Sequence, residues 1–184
     1  MMSEIPGWFN FSVLYEEIVD NFQGEKGYFA EVGVFAGLSV IYLAEKVRNS
    51  RKDISVFAID TFQGTQSCQF HLDYIKANKG DLLWLFWKHV RERGLDKIII
   101  PIRANSQYAA KVVHKSVSFD MVFLEYPEIY GDLKAWWPRI AKNGCLDFRA
   151  NSPVKSAVKQ FSRDYNLTVL DKSLSGEAFM IIKL

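Results

Sequence analysis

The stretch Glu31-Val32-Gly33-Val34-Phe35-Ala36-Gly37-Leu38-Ser39, followed about 27 residues after Gly33 by Asp60, holds the residue types and spacing best suited to chemistry. Gly33 lets backbone come close to a ligand, and Gly37 can take a tight turn into a helix. A carboxylate at Asp60 can accept two hydrogen bonds from vicinal hydroxyls, the pattern a ribose presents. The glycines do not follow G-x-G-x-x-G, the spacing that cradles a dinucleotide pyrophosphate. There is no G-x-x-x-x-G-K-[ST] either, so a phosphate-gripping loop is excluded. The pattern points to a nucleoside ligand without a phosphate chain.

The elements that must position these residues follow from hydrophobic period. Short apolar runs at 28–34, 54–60, 97–102, 120–125 and 144–148 predict strands, and 167–170 with 178–182 predict two more. Helical spacing marks 11–22, 39–47, 81–93, 107–114, 131–142 and 154–165, with Asp81 as an N-cap and Gly94 as a stop. Residues 61–80 carry no clear period beyond a short helix near Tyr74. Alternation of strand and helix predicts an α/β fold, a mostly parallel seven-stranded sheet with helices on both faces. The short connection between the last two strands predicts an antiparallel hairpin at one edge. Such a sheet binds ligands at the carboxyl ends of its strands. Gly33 and Asp60 both fall there.

Composition narrows the function classes. The 184 residues predict one domain over 1–184, with 1–27 as a helical lead-in and 61–93 as a variable region over the site. Lys plus Arg is 23 and Asp plus Glu is 21, an even balance that gives no argument for a nucleic-acid partner. No apolar stretch reaches the roughly 20 residues of a membrane helix. The N-terminus has no signal-peptide core, so a cytoplasmic protein is expected. Cys68 and Cys145 are expected as free thiols. Aromatic residues are abundant at 15%. Helix 81–93 carries Trp84, Phe86 and Trp87 and is apolar on two faces, which core packing plus a homo-oligomer contact or a pocket wall would explain. Trp8, Phe9, Phe62 and Trp87 are candidates for pocket or interface.

Phe29 to Ser39, Val56 to Thr65, Pro101 to Ser106, Phe119 to Leu124, Leu133 to Pro138 and Val154 to Val158 occur in order across nearly the whole chain. Together they resemble the class I S-adenosylmethionine-dependent methyltransferases, most closely the compact macrocin-type O-methyltransferase subgroup. The resemblance implies a Rossmann-like doubly wound sheet and S-adenosyl-L-methionine as cofactor. It places Glu31 and Gly33 against the methionine end, with Gly37 and Ser39 opening the helix beneath. Asp60 would bind the ribose, with Thr61 and Phe62 beside the adenosine, and Asn105 and Ser106 near the adenine. Glu125 would face the reactive centre.

The chain also departs from that subgroup. Glu128 stands where the subgroup has a histidine. Asp147-Phe148-Arg149 replaces its paired carboxylates, and Arg149 adds positive charge where a cation would sit. Metal-independent transfer to a small-molecule acceptor, through a hydroxyl, is therefore the expectation. A degenerate protein that binds cofactor or a partner without catalysis is the alternative. A hydroxyl acceptor benefits from a general base. Glu125 and Glu128 are the nearest candidates, Asp147 is a third, and His71 overhangs the site. His89 and His114 are expected to be packing or surface residues.

Overall fold

The computed structural model describes residues 5–78, 80–125, 129–149, 152–171 and 178–184. The strands are β1 (Lys26–Val32), β2 (Asp53–Asp60), β3 (Ile99–Arg103), β4 (Phe119–Leu124), β5 (Ile140–Arg149), β6 (Leu170–Asp171) and β7 (Ala178–Ile182). Their order in the sheet is β3-β2-β1-β4-β5-β7-β6, parallel from β3 to β5 and antiparallel at β7 and β6. The helices are α1 (Ser12–Asn21), α2 (Leu38–Ser50), α3 (Gln69–Ala77), α4 (Leu82–Glu92), α5 (Ser106–Val112), α6 (Ile129–Trp136) and α7 (Ser152–Asp164).

Side chains alternate across each strand, so the sheet feeds two cores. Phe29, Val56, Ala58, Met121 and Phe123 pack with α1, α2 and α4. Ala30, Phe57, Ile59, Val122, Leu124 and Leu146 pack with α5, α6 and α7. The central strands are apolar on both faces because both faces are covered.

Two expectations need correction. Seven full strands were expected, but six have five residues or more and the seventh, β6, has two, at 170–171 and not 167–170. The connection from β6 to β7 lies outside the described residues. The helix expected over 131–142 ends at Trp136. Pro138 lacks the N–H that a continuing helix needs, so Trp137–Arg139 forms a single 3-10 turn and β5 starts at Ile140. β5 thus runs ten residues, with a register shift between Phe119 and Met121 of its neighbour. Gly144 permits that irregularity: a Cβ there would sit 2.9 Å from the Phe119 carbonyl oxygen. The short helix expected near Tyr74 is the nine-residue α3.

Register brings the strand ends level. The Gly33 N–H donates to the Ile59 carbonyl at 2.8 Å, and the Glu125 N–H to the Val32 carbonyl at 3.0 Å. The Ala104 N–H donates to the Asp60 carbonyl at 2.9 Å. The chain turns one way from β1 to β2 and β3, and the other way to β4. That switch point opens a crevice at the carboxyl ends.

Candidate functional site

A cavity of about 520 Å³ fills the crevice. Val32, Gly33, Ser39, Asp60, Thr61, Asn105, Ser106, Glu125 and His71 line it, all but Val32 singled out from sequence. Three carboxylates, Asp60, Glu125 and Asp132, line it, and among the described residues no lysine or arginine does. The helices are too short or too polar to cross a membrane, and no three metal-binding side chains converge among the described residues.

Asp60 is fixed by its neighbours. Oδ2 accepts from the Phe35 N–H and Oδ1 from the Phe62 N–H, both at 2.8 Å. Each carboxylate oxygen has a second lone-pair direction, so two acceptor positions remain. The Phe35 N–H is brought there by the turn through Gly33, Phe35 and Gly37, all at positive φ (94°, 47° and 101°). A side chain at Gly37 would also be crowded. A Cβ there would meet the Phe86 ring at 3.0 Å and Ile41 at 3.1 Å.

Glu31 lies behind the wall. It is fully buried and does not line the cavity. Its two oxygens accept from the Ser39 hydroxyl at 2.5 Å and the Tyr15 hydroxyl at 2.7 Å. Ser39 itself lines the cavity, so Glu31 bears on the site through Ser39. Burial pushes the Glu31 carboxyl up to about 8, against the pull of both hydroxyls. Tyr15 is raised well above its ordinary value, first by burial and then by the Glu31 charge, so it stays a donor.

Glu125 directly follows β4 at the cavity. Its Oε1 accepts from the Arg149 guanidinium at 2.8 Å, and its side chain is 10% exposed. Oε2 is buried and makes no hydrogen bond. Burial raises the carboxyl to about 7, and Arg149 only partly offsets that. Asp147 is fully buried on β5 below this level and does not line the cavity. Glu128 lies outside the described residues.

His71 stacks on Phe35, with ring centroids 4.1 Å apart and planes at 18°. Its Nδ1 accepts from the Thr65 N–H at 3.0 Å, so the proton of the neutral ring is on Nε2. Burial lowers its pKa and favours that neutral form. His71 lines the cavity, as expected of a residue that overhangs the site, and the proton of its neutral ring sits on Nε2.

Asn105 and Ser106 are partly committed to structure. Asn105 Oδ1 caps α5 by accepting from the Tyr108 N–H at 2.9 Å. The Ser106 hydroxyl accepts from the Trp136 indole at 3.0 Å, which makes Trp136 scaffold. The Phe62 side chain is buried against Phe86, away from the lining, and only its amide serves Asp60. His89 is a buried packing residue bonded to the Ala36 carbonyl at 2.9 Å, and His114 is exposed.

Residues that the sequence did not mark also belong to the site. Asp132, Gln107, Thr65 and Gly64 join the lining. Tyr15 acts from α1 and Arg149 from β5, and no local spacing relates either to its partner. Trp8, from the segment before α1, lines the cavity as one of its expected uses.

A family model described as a methyltransferase domain matches residues 30–148. Among solved structures, the O-methyltransferase NovP superposes with a TM-score of 0.67 at 14% identity, over 94% of this chain and 78% of that one. SMU.1697c from Streptococcus mutans, solved in complex with SAH, gives 0.63 at 13% identity, over 97% and 100%. An rRNA methylase from Streptococcus thermophilus gives 0.61 at 9% identity, over 96% and 97%. Identities this low carry the fold and leave the acceptor open. A search of curated protein sequences found no match.

Proposed function

This chain belongs to the methyltransferase domain family, of the class I S-adenosylmethionine-dependent kind, and we propose that it transfers the methyl group to a hydroxyl of a small molecule without a metal ion. One observation carries the reading. The cavity at the switch point is walled by three carboxylates and by no described cation. Such a wall suits a positively charged nucleoside and repels a phosphate chain. When bound, the cofactor supplies an electrophilic methyl group on a sulfonium, so the protein mainly positions and desolvates.

The chain's own residues divide that work. Asp60 accepts from the ribose hydroxyls with its two remaining acceptor positions, and its orientation is fixed beforehand by the Phe35 and Phe62 amides. Gly33 and Thr61 form the wall beside it, and Asn105 and Ser106 close the adenine side. Ser39 faces the methionine end, with Glu31 holding it from behind. Glu125 takes the acceptor hydroxyl proton, and a carboxyl near 7 can accept a proton at neutral pH. Arg149 supports metal-free transfer, because its guanidinium already occupies Oε1 of Glu125.

Titration calorimetry with S-adenosylmethionine and S-adenosylhomocysteine tests the reading. Micromolar binding is expected, weakened tenfold or more in Asp60→Ala, the scale of a charged hydrogen bond. Absence of binding to either ligand defeats it.

A further inference from the structure

One end of the cavity is built from aromatic rings that three separate segments bring together. Trp8 comes from the segment before α1, Phe35 from the turn after β1, and Phe70, His71 and Tyr74 from α3. Trp8 lies 5.3 Å from Phe70 and 5.7 Å from His71, centroid to centroid. Phe35 lies 4.1 Å from His71 and 5.7 Å from Tyr74. Trp8, Phe35 and His71 line the cavity. Trp8 remains 51% exposed and Phe70 44%.

Two further features argue against simple core packing. Phe35 holds a positive φ of 47°, a conformation that costs a non-glycine residue of order 1 kcal/mol and that a turn residue without a ring would serve as well. His71 has its tautomer fixed by the Thr65 N–H, so one N–H donor sits within the ring wall. The wall therefore offers a mainly flat apolar face, with ring N–H groups only on Trp8 and His71 among the cavity-lining rings. A polyol bound there would leave most of its hydroxyls unpaired, at a cost for each. A planar ring with one oxygen satisfies the surface: the face stacks and the oxygen accepts.

We propose that this wall is the acceptor subsite and that it takes a planar hydroxylated aromatic ring, whose oxygen accepts from His71 Nε2–H. The inference rests on the methyltransferase reading above and adds the acceptor class to it.

The test uses the full chain saturated with S-adenosylhomocysteine and a matched pair of probes, 4-methylphenol and 4-methylcyclohexanol. They share a heavy-atom skeleton and differ in planarity. Calorimetry is expected to show 4-methylphenol binding about tenfold tighter, a stacking-scale difference. Trp8→Ala and His71→Phe should each weaken 4-methylphenol several-fold, and His71→Gln, which keeps a donor, should recover part of the loss. S-adenosylhomocysteine affinity should stay within twofold in all three variants, which also reports that they fold. Equal affinity for the two probes, or no binding of 4-methylphenol, overturns the proposal. Loss of S-adenosylhomocysteine binding in the variants also overturns it, by giving the wall to the cofactor. Failure of the unaltered protein to bind S-adenosylhomocysteine at all instead defeats the underlying methyltransferase reading, and this inference with it.

Discussion

Glu31 and Glu125 show how far burial can carry a carboxyl. Their values of about 8 and about 7 lie above the ordinary 4.5, with desolvation the leading cause for each. A raised carboxyl binds its proton more tightly in the folded chain than in the unfolded one. Its contribution to stability is complete below about pH 4.5 and is lost as pH rises through 7 to 8. Thermal midpoints of the unliganded protein should therefore fall between pH 5 and pH 8.5. Glu31→Gln, which can keep contacts to Ser39 and Tyr15, should flatten that fall. An identical slope in the variant would contradict the assignment. The placement of Asp60 and Gly33 at the cavity was legible in the sequence because it depends on where a strand ends. The partnerships of Glu31 with Tyr15 and of Glu125 with Arg149 were not, because they join side chains on different elements. The position of His71 on the cavity wall was legible, but its tautomer depends on a backbone amide six residues away in sequence.

Among the elements, α5 depends on a residue outside it. Arg139, in the turn before β5, donates to four carbonyls, those of Ala110, Val113, His114 and Val117, at 2.6–2.9 Å. These close the carboxyl end of α5 and the loop that follows, where a cation also favours the helix dipole. Arg139→Met leaves those carbonyls without this donor and should cost about 1–3 kcal/mol in urea unfolding. A change below ~0.5 kcal/mol, the range of ordinary surface substitutions, would show that the bonds contribute nothing. Helix and strand positions were readable from period, since one-sided burial imposes it. The end of α6 was misread because its apolar pattern runs on past Pro138 into β5. The two-residue β6 carries too few side chains to set a period at all.

Across the whole molecule, the switch point joins both scales. A ligand that binds only the folded cavity stabilises the entire domain by mass action. S-adenosylhomocysteine at 100 times its Kd should add about 2.7 kcal/mol, which for a chain of this size raises Tm by roughly 5–11 °C. Calorimetric scans with and without the ligand measure this, with NADH as the control expected to shift nothing. A larger shift with NADH would point to a dinucleotide site. The sequence by itself determined the α/β class, the strand ends that carry Gly33, Asp60 and Glu125, and the absence of a phosphate-binding loop, because each is written in local spacing. Only the tertiary structure decided that Glu31 stands behind Ser39, that Arg149 occupies one oxygen of Glu125, and that rings from three segments meet beside the cavity. Those contacts join residues far apart in the chain, and packing in three dimensions, not spacing along it, fixes which atoms touch.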